Sequence, residues 1–318
     1  MSIKNKMKYA FLFGTATALT VSIVNKIIYV SATLKNNVSP VKGNYYNWRF
    51  GKVFYTKQGT GSPLLLIHDL DVSSSSLEWK EVIKKLSLNH TVYTLDLLGC
   101  GLSDKPYLTY TNYLYVQLIS DFIKNIIGHK TNVIASGSSS SFTLMACHND
   151  SNLFHKIMVI NPQDLYQLNF APSKKSISLK ILFDSPIIGT LIYNILFSRK
   201  HVKENLTKKF NVYSSKIANY LDLFYESAHL QNCQGKYLFA SIKGCYTNVN
   251  IIHALKEINN SIYIIGGQNY TNIKTIIENY SYYNPSIENY IIDQTKYYPH
   301  IEKPSIFFDQ INVFFDNN

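Results

Sequence analysis

Arginine is almost missing from this chain: of 31 lysines and arginines in 318 residues, only Arg49 and Arg199 carry a guanidinium. A surface that reads phosphates and base edges relies on the planar arginine fork, so the formal charge of +11 does not mark a nucleic-acid binder. The lysine excess reads instead as solvated surface, with an attraction for anionic lipid. Cysteine is scarce too. Cys100, Cys147, Cys233 and Cys245 show no metal-ligand spacing, which argues against structural zinc and against a disulfide framework. No motif calls for a cofactor or a metal.

What the chain does have is concentrated first at its N-terminus. Lys4, Lys6 and Lys8 precede an uncharged run from Tyr9 to Asn25, and Lys26 can snorkel so that Ile27 to Val30 lengthen the apolar stretch. Residues 1–8 read as a tail, 9–30 as a transmembrane anchor in contact with membrane lipid, and 31–44 as a polar linker. A cleaved signal peptide, with Val30-Ser31-Ala32 as its cleavage site, is the alternative. The lysines crowded before the span favour a cytoplasmic N-terminus. That orientation makes a single-pass membrane protein with an extracytoplasmic domain.

Beyond the linker, alternation over Tyr45 to Gly59 predicts an antiparallel hairpin. Short unbroken apolar runs follow at Pro63 to His68, Val92 to Leu95, Asn132 to Ala135, Ile157 to Ile160, Ile262 to Ile265 and Tyr290 to Ile292. Such runs suit strands buried on both faces of a mostly parallel sheet. Helix-length segments at Leu77 to Leu86, Tyr113 to Ile127, Phe142 to His148 and Ser305 to Phe315 separate them, which defines an α/β domain over 45–318. Residues 165–235 break the rhythm with helical patches only. An insertion of that length reads as a lid.

The order of motifs resembles the α/β-hydrolase superfamily. "LLLIHDLD" resembles the strand and loop that supply part of the oxyanion hole, with His68-Asp69 where His-Gly is usual. "DLLGCGLSDKP" matches the family's Asp-x-x-Gly-x-Gly-x-Ser turn at Asp96, Gly99, Gly101 and Ser103. A strand then breaks into "ASGSSSS", the resemblance placing Ser138 as nucleophile with Ser136 and Ser140 in place of the elbow glycines. Leu70 and Ser139 would donate the oxyanion N–H groups.

The same resemblance implies a histidine base and an acid, and neither is found. Tyr297 stands in the histidine's place and Tyr270 in the acid's, and a phenol with a pKa near 10 is a weak base at neutral pH. His300 and Asp164 are the substitutes within the right segments, with a loop histidine and a helix cap as their structural readings. The expectation is a membrane-anchored hydrolase-fold protein with a degraded triad, weakly catalytic or non-catalytic, binding a partner or a small apolar or ester-like ligand. The alternative is an active ester hydrolase or acyltransferase that uses Ser138 with a non-standard base and acid.

Overall fold

The computed structural model describes residues 3–39, 41–211 and 215–316. Its centre is an eight-stranded sheet in the order β1-β2-β4-β3-β5-β6-β7-β8. The hairpin β1 (Asn44–Trp48) and β2 (Gly51–Gln58) forms one antiparallel end. Parallel pairing joins β3 (Ser62–Ile67), β4 (His90–Leu95), β5 (Thr131–Ser136), β6 (Phe154–Ile160), β7 (Ile262–Gly267) and β8 (Glu288–Ile292). Alternate side chains of these runs enter opposite cores, as the two-residue period of a strand requires: Leu65 and Ile67 on one face, Leu64 and Leu66 on the other.

A single long helix, α1 (Ile3–Thr33), precedes the sheet and is the one helix among the described residues long and apolar enough by itself to cross a bilayer. Its last turns are docked. Asn25 donates to Ile187 O at 3.1 Å and accepts from Asn194 Nδ2 at 3.0 Å. The segment expected to be a free linker is also tied down: Glu226 accepts the N–H groups of Asn37 and Val38, and Lys35 reaches Asp222 at 2.8 Å. Those acids come from far along the chain, so no local pattern could reveal them.

The helix expected over Leu77 to Leu86 is broken into a 3-10 turn, Ser76–Trp79, and a short helix α2 (Ile83–Leu86). Helices α3 (Asn112–Phe122) and α4 (Ser139–Asn149) cover one face of the sheet. Between β6 and β7 the elements among the described residues are all helices: α5 (Leu165–Leu168), α6 (Lys174–Asp184), α7 (Ile188–Leu196), α8 (Arg199–Lys209), α9 (Ser215–Cys233), α10 (Lys236–Lys243) and α11 (Ile252–Glu257). The helical insertion thus runs past residue 235, and α10 packs along α6. After α12 (Ile273–Tyr283), the short α13 (Pro299–Glu302) and α14 (Pro304–Ile311) close the chain, α14 covering the second face with α2.

Candidate functional site

The C-terminal ends of β3, β5, β6, β7 and β8 open on the same edge, where ligands of open α/β sheets bind. The Asp96 turn shapes one side of it. Asp96 accepts the N–H groups of Ser76 and Leu102, and Ser103 donates to Asp96 O at 2.6 Å. A Cβ at Gly101, which has φ +46°, would collide with that same carboxylate, so the turn needs glycine there.

At the elbow the structure corrects the register read from the sequence. The residue in the left-handed region is Gly137, at φ +54°, whereas Ser138 has ordinary helical angles of −62° and −27° and leads into α4. A hydrolase nucleophile sits on the sharp, strained strand-to-helix turn, and its successor gives an N–H to the oxyanion hole. By that geometry Gly137 occupies the nucleophile's place, and Ser138, not Ser139, supplies the elbow donor. Ala135 and Ser139 take the flanking small positions in place of Ser136 and Ser140. The signal was present in the sequence: in a run of serines, the lone glycine is the residue that adopts positive φ without cost.

The space next to Gly137 is occupied. Asp69 Oδ1 accepts the Ser138 N–H at 3.0 Å, and Asp69 Oδ2 accepts the Tyr297 hydroxyl at 2.8 Å. A Cβ at residue 137 would lie under 3.0 Å from both the Asp69 carboxylate and the Tyr297 oxygen. Leu70, expected as the second oxyanion donor, follows Asp69 with its side chain buried in the core. Lys209, at the end of α8, brings Nζ to 3.7 Å from Asp69 and 3.9 Å from Asp71, and donates to the Tyr298 hydroxyl at 3.2 Å.

Burial pushes the Asp69 carboxyl above its ordinary range; Lys209 opposes this, and Glu78 and Asp71 add to it. Burial and the Asp69 charge also hold the Tyr297 hydroxyl well above 10, so it stays a donor. Burial alone would pull Lys209 down, but the surrounding Tyr298, Asp71 and Asp69 outweigh it and keep the ammonium charged. A phenol in this state does not take a proton from a serine.

Tyr270 and Tyr297, expected in the acid and base positions, meet edge to face with their ring centroids 5.4 Å apart. Burial and then Asp69 push the Tyr270 hydroxyl up to about 12. The loop carrying Tyr297 is braced by Asn161, which donates to the carbonyls of Lys296 and Tyr297 and accepts from Gly267 N. Neither Asn161 nor Lys209 was readable as a site residue, because each acts on segments distant in the chain.

The two substitutes are engaged elsewhere. His300 Nε2 lies 3.1 Å from Glu78 Oε1, both side chains fully buried, with the ring 4.7 Å from that of Trp79. Glu78 Oε2 in turn accepts Asp69 N, which places His300 behind the oxyanion loop, so it is not the base. Asp164 caps α5, its carboxylate accepting Tyr166 N at 2.9 Å, and is a helix cap in place of an acid. His68 is likewise used up: Nε2 accepts Leu97 N, so Nδ1 carries the hydrogen and donates to Asp69 O. Among the described residues, no three His, Cys, Asp or Glu are grouped to hold a metal.

Beside Lys209 lies a cavity of about 340 Å³ between the loop after β3 and helices α8 and α9. Asp71, Ser73 and Lys209 form its polar side, and Phe197, Leu206 and Phe224 its apolar side.

No protein-family model matches the chain. A 71-residue stretch is 35% identical to a 2-hydroxy-6-oxo-6-(2'-aminophenyl)hexa-2,4-dienoic acid hydrolase of Metapseudomonas resinovorans, covering 22% of this chain and 24% of that enzyme. A soluble epoxide hydrolase of Corynebacterium sp. (strain C12) is 24% identical over 110 residues, 35% of this chain and 38% of its own length. The chain therefore matches well under half the length of these curated relatives. Solved structures align much further. An epoxide hydrolase superposes with a TM-score of 0.70 at 16% identity over 86% of this chain and 98% of its own. A membrane phospholipase A superposes at 0.69 and 15% identity over 99% and 98%. The chain thus has the α/β-hydrolase fold.

Proposed function

We propose that this is a membrane-anchored α/β-hydrolase-fold protein that binds a small amphiphilic ligand and does not hydrolyse it. One observation carries the reading: at the elbow the chain has Gly137, with the Asp69 carboxylate lodged where a nucleophile and its oxyanion would sit. Losing the nucleophile or base of a serine hydrolase costs on the order of a millionfold in kcat, and here nucleophile, base and acid positions are Gly137, Tyr297 and Tyr270. Relatives named as hydrolases share the scaffold without fixing the chemistry, since function resides in the site.

The cavity beside Lys209 supports the ligand class: an anionic or ester head near the ammonium, and an apolar part against Phe197, Leu206 and Phe224. The uncharged stretch of α1 supports the anchor, and Lys4, Lys6 and Lys8 before it support an extracytoplasmic domain. The test is to treat the full chain in detergent with a fluorophosphonate probe while titrating a fluorescent fatty acid. Saturable binding without a covalent adduct is expected. An adduct mapped to Ser138 or a neighbouring serine would overturn the reading.

A further inference from the structure

Helices α6 and α7 expose a set of aliphatic side chains. Ile177, Ile181 and Leu182 on α6 and Ile188, Ile195 and Leu196 on α7 face solvent, Ile181 at 67% and Ile188 at 60%. Monomeric surfaces rarely keep such clustered aliphatic area exposed, and where they do it marks an interaction site. The two helices meet at 100°, and taken together they have the length and apolar composition of a broken or re-entrant membrane segment.

Their position relative to α1 identifies what covers them. The side chains Phe11, Phe13, Leu19 and Ile23 of α1 are exposed, and docking begins at Asn25, whose amide is bonded to Ile187 and Asn194 at either end of the α7 region. From Tyr9, where the uncharged run begins, to Asn25 a helix rises about 25 Å, and snorkelling of Lys8 and Lys26 extends this toward the roughly 30 Å of a hydrocarbon core. If α1 spans up to this point, the Asn25–Ile187 contact lies at the bilayer surface and α7 lies along it. The cleft between α1 and α7, about 220 Å³, is lined by Ser22, Lys26, Tyr29, Thr190 and Asn232. Hydroxyls, an amide and an ammonium suit the headgroup layer. Lys174 and Lys175, exposed at the start of α6, and Lys200, exposed at the start of α8, add positive charge at both ends of the apolar hairpin, as anionic lipid favours.

We infer that the α6–α7 hairpin is seated in the interfacial layer of the bilayer that α1 enters, so that the lid is held by lipid. The inference rests on the membrane-anchor reading, and the test separates the two. The full chain, in a Cys245→Ser background, is labelled with an environment-sensitive fluorophore at single cysteines introduced as Phe13→Cys, Ile181→Cys, Ile188→Cys, Ile195→Cys or Tyr282→Cys. Each is reconstituted into vesicles of phosphatidylcholine and phosphatidylglycerol carrying a shallow or a deep nitroxide quencher. All five sites are exposed, so labelling leaves the core intact.

The expected result is quenching of position 13 by the deep nitroxide and of 181, 188 and 195 by the shallow one, severalfold above position 282. Position 13 quenched with 181, 188 and 195 no different from 282 would overturn the inference and leave the anchor standing. Position 13 unquenched would remove the anchor and the inference with it. Burial of 181, 188 and 195 that varies with protein concentration and not with lipid quencher would assign the hairpin to a second copy, and would also overturn it.

Discussion

The Tyr297 hydroxyl donates to Asp69 Oδ2 across 2.8 Å while the other oxygen of the same carboxylate accepts the Ser138 N–H. Two loops and the elbow are thereby closed onto one buried charge. In a hydrolase these groups would surround a reacting carbonyl; here they surround a side chain of the protein itself.

That charge has a pH signature. The folded-state carboxyl of Asp69 is raised above its ordinary 3.8, so the folded protein binds this proton more tightly than the unfolded chain does. Its contribution is fully present below pH 3.8 and is lost as pH rises through the higher folded value. Asp69→Asn keeps the shape and removes the titration. Urea unfolding of both proteins should show the variant gaining on the wild type between pH 4 and pH 7, and a constant difference would contradict the raised carboxyl.

Gly137 and Asp69 should be energetically coupled. Gly137→Ser alone places a side chain at φ +54° and into the Asp69 carboxylate, so it should lower stability by about 2 kcal/mol or more. In an Asp69→Gly background the collision with Asp69 is gone, leaving the backbone cost of about 1 kcal/mol and the contact with the Tyr297 hydroxyl, which no longer has Asp69 as its acceptor. A double-mutant cycle by chemical denaturation should return a coupling of roughly 1 kcal/mol or more, and additivity would refute the occupied-site geometry.

Repair extends the same cycle. Adding Tyr297→His and Tyr270→Asp to Gly137→Ser with Asp69→Gly restores nucleophile, base and acid positions and vacates the space for a substrate carbonyl. Hydrolysis of a short-chain nitrophenyl ester should rise at least tenfold over the same protein with Gly137 retained. No difference between the two would place the elbow outside the family geometry.

Behind the oxyanion loop, His300 and Glu78 make a second, fully buried pair. Burial pushes Glu78 up, but His300, with smaller help from His68 and Ser136, outweighs it and holds the carboxyl below 4.5, so the ionised Glu78 stabilises the fold above pH 4.5 and this is lost as pH falls. His300→Ala leaves the carboxylate buried alone and should cost about 3 to 5 kcal/mol. If the variant unfolds at the same denaturant concentration as the wild type, the pair is not structural.

Much of the scaffold was legible in the sequence because it is local. Runs such as "PLLLI" and "IYIIG" suit strands buried on both faces, which they form, and Asp96, Gly99, Gly101 and Ser103 make a turn whose bonds close within a few residues. The elbow register had one local signal, the lone glycine among serines, but its place at the turn is settled by the pairing of β5 with β6 and by one backbone angle. Asp69, Tyr297 and Lys209 lie in three separate segments, so only the packing of the lid and last loop onto the sheet edge could bring their charges and hydroxyls together. The docking of the linker on Glu226 and of Asn25 on α7 is likewise a contact between segments more than a hundred residues apart. No spacing in the chain encodes such contacts, because they form only after the helices that carry them have packed.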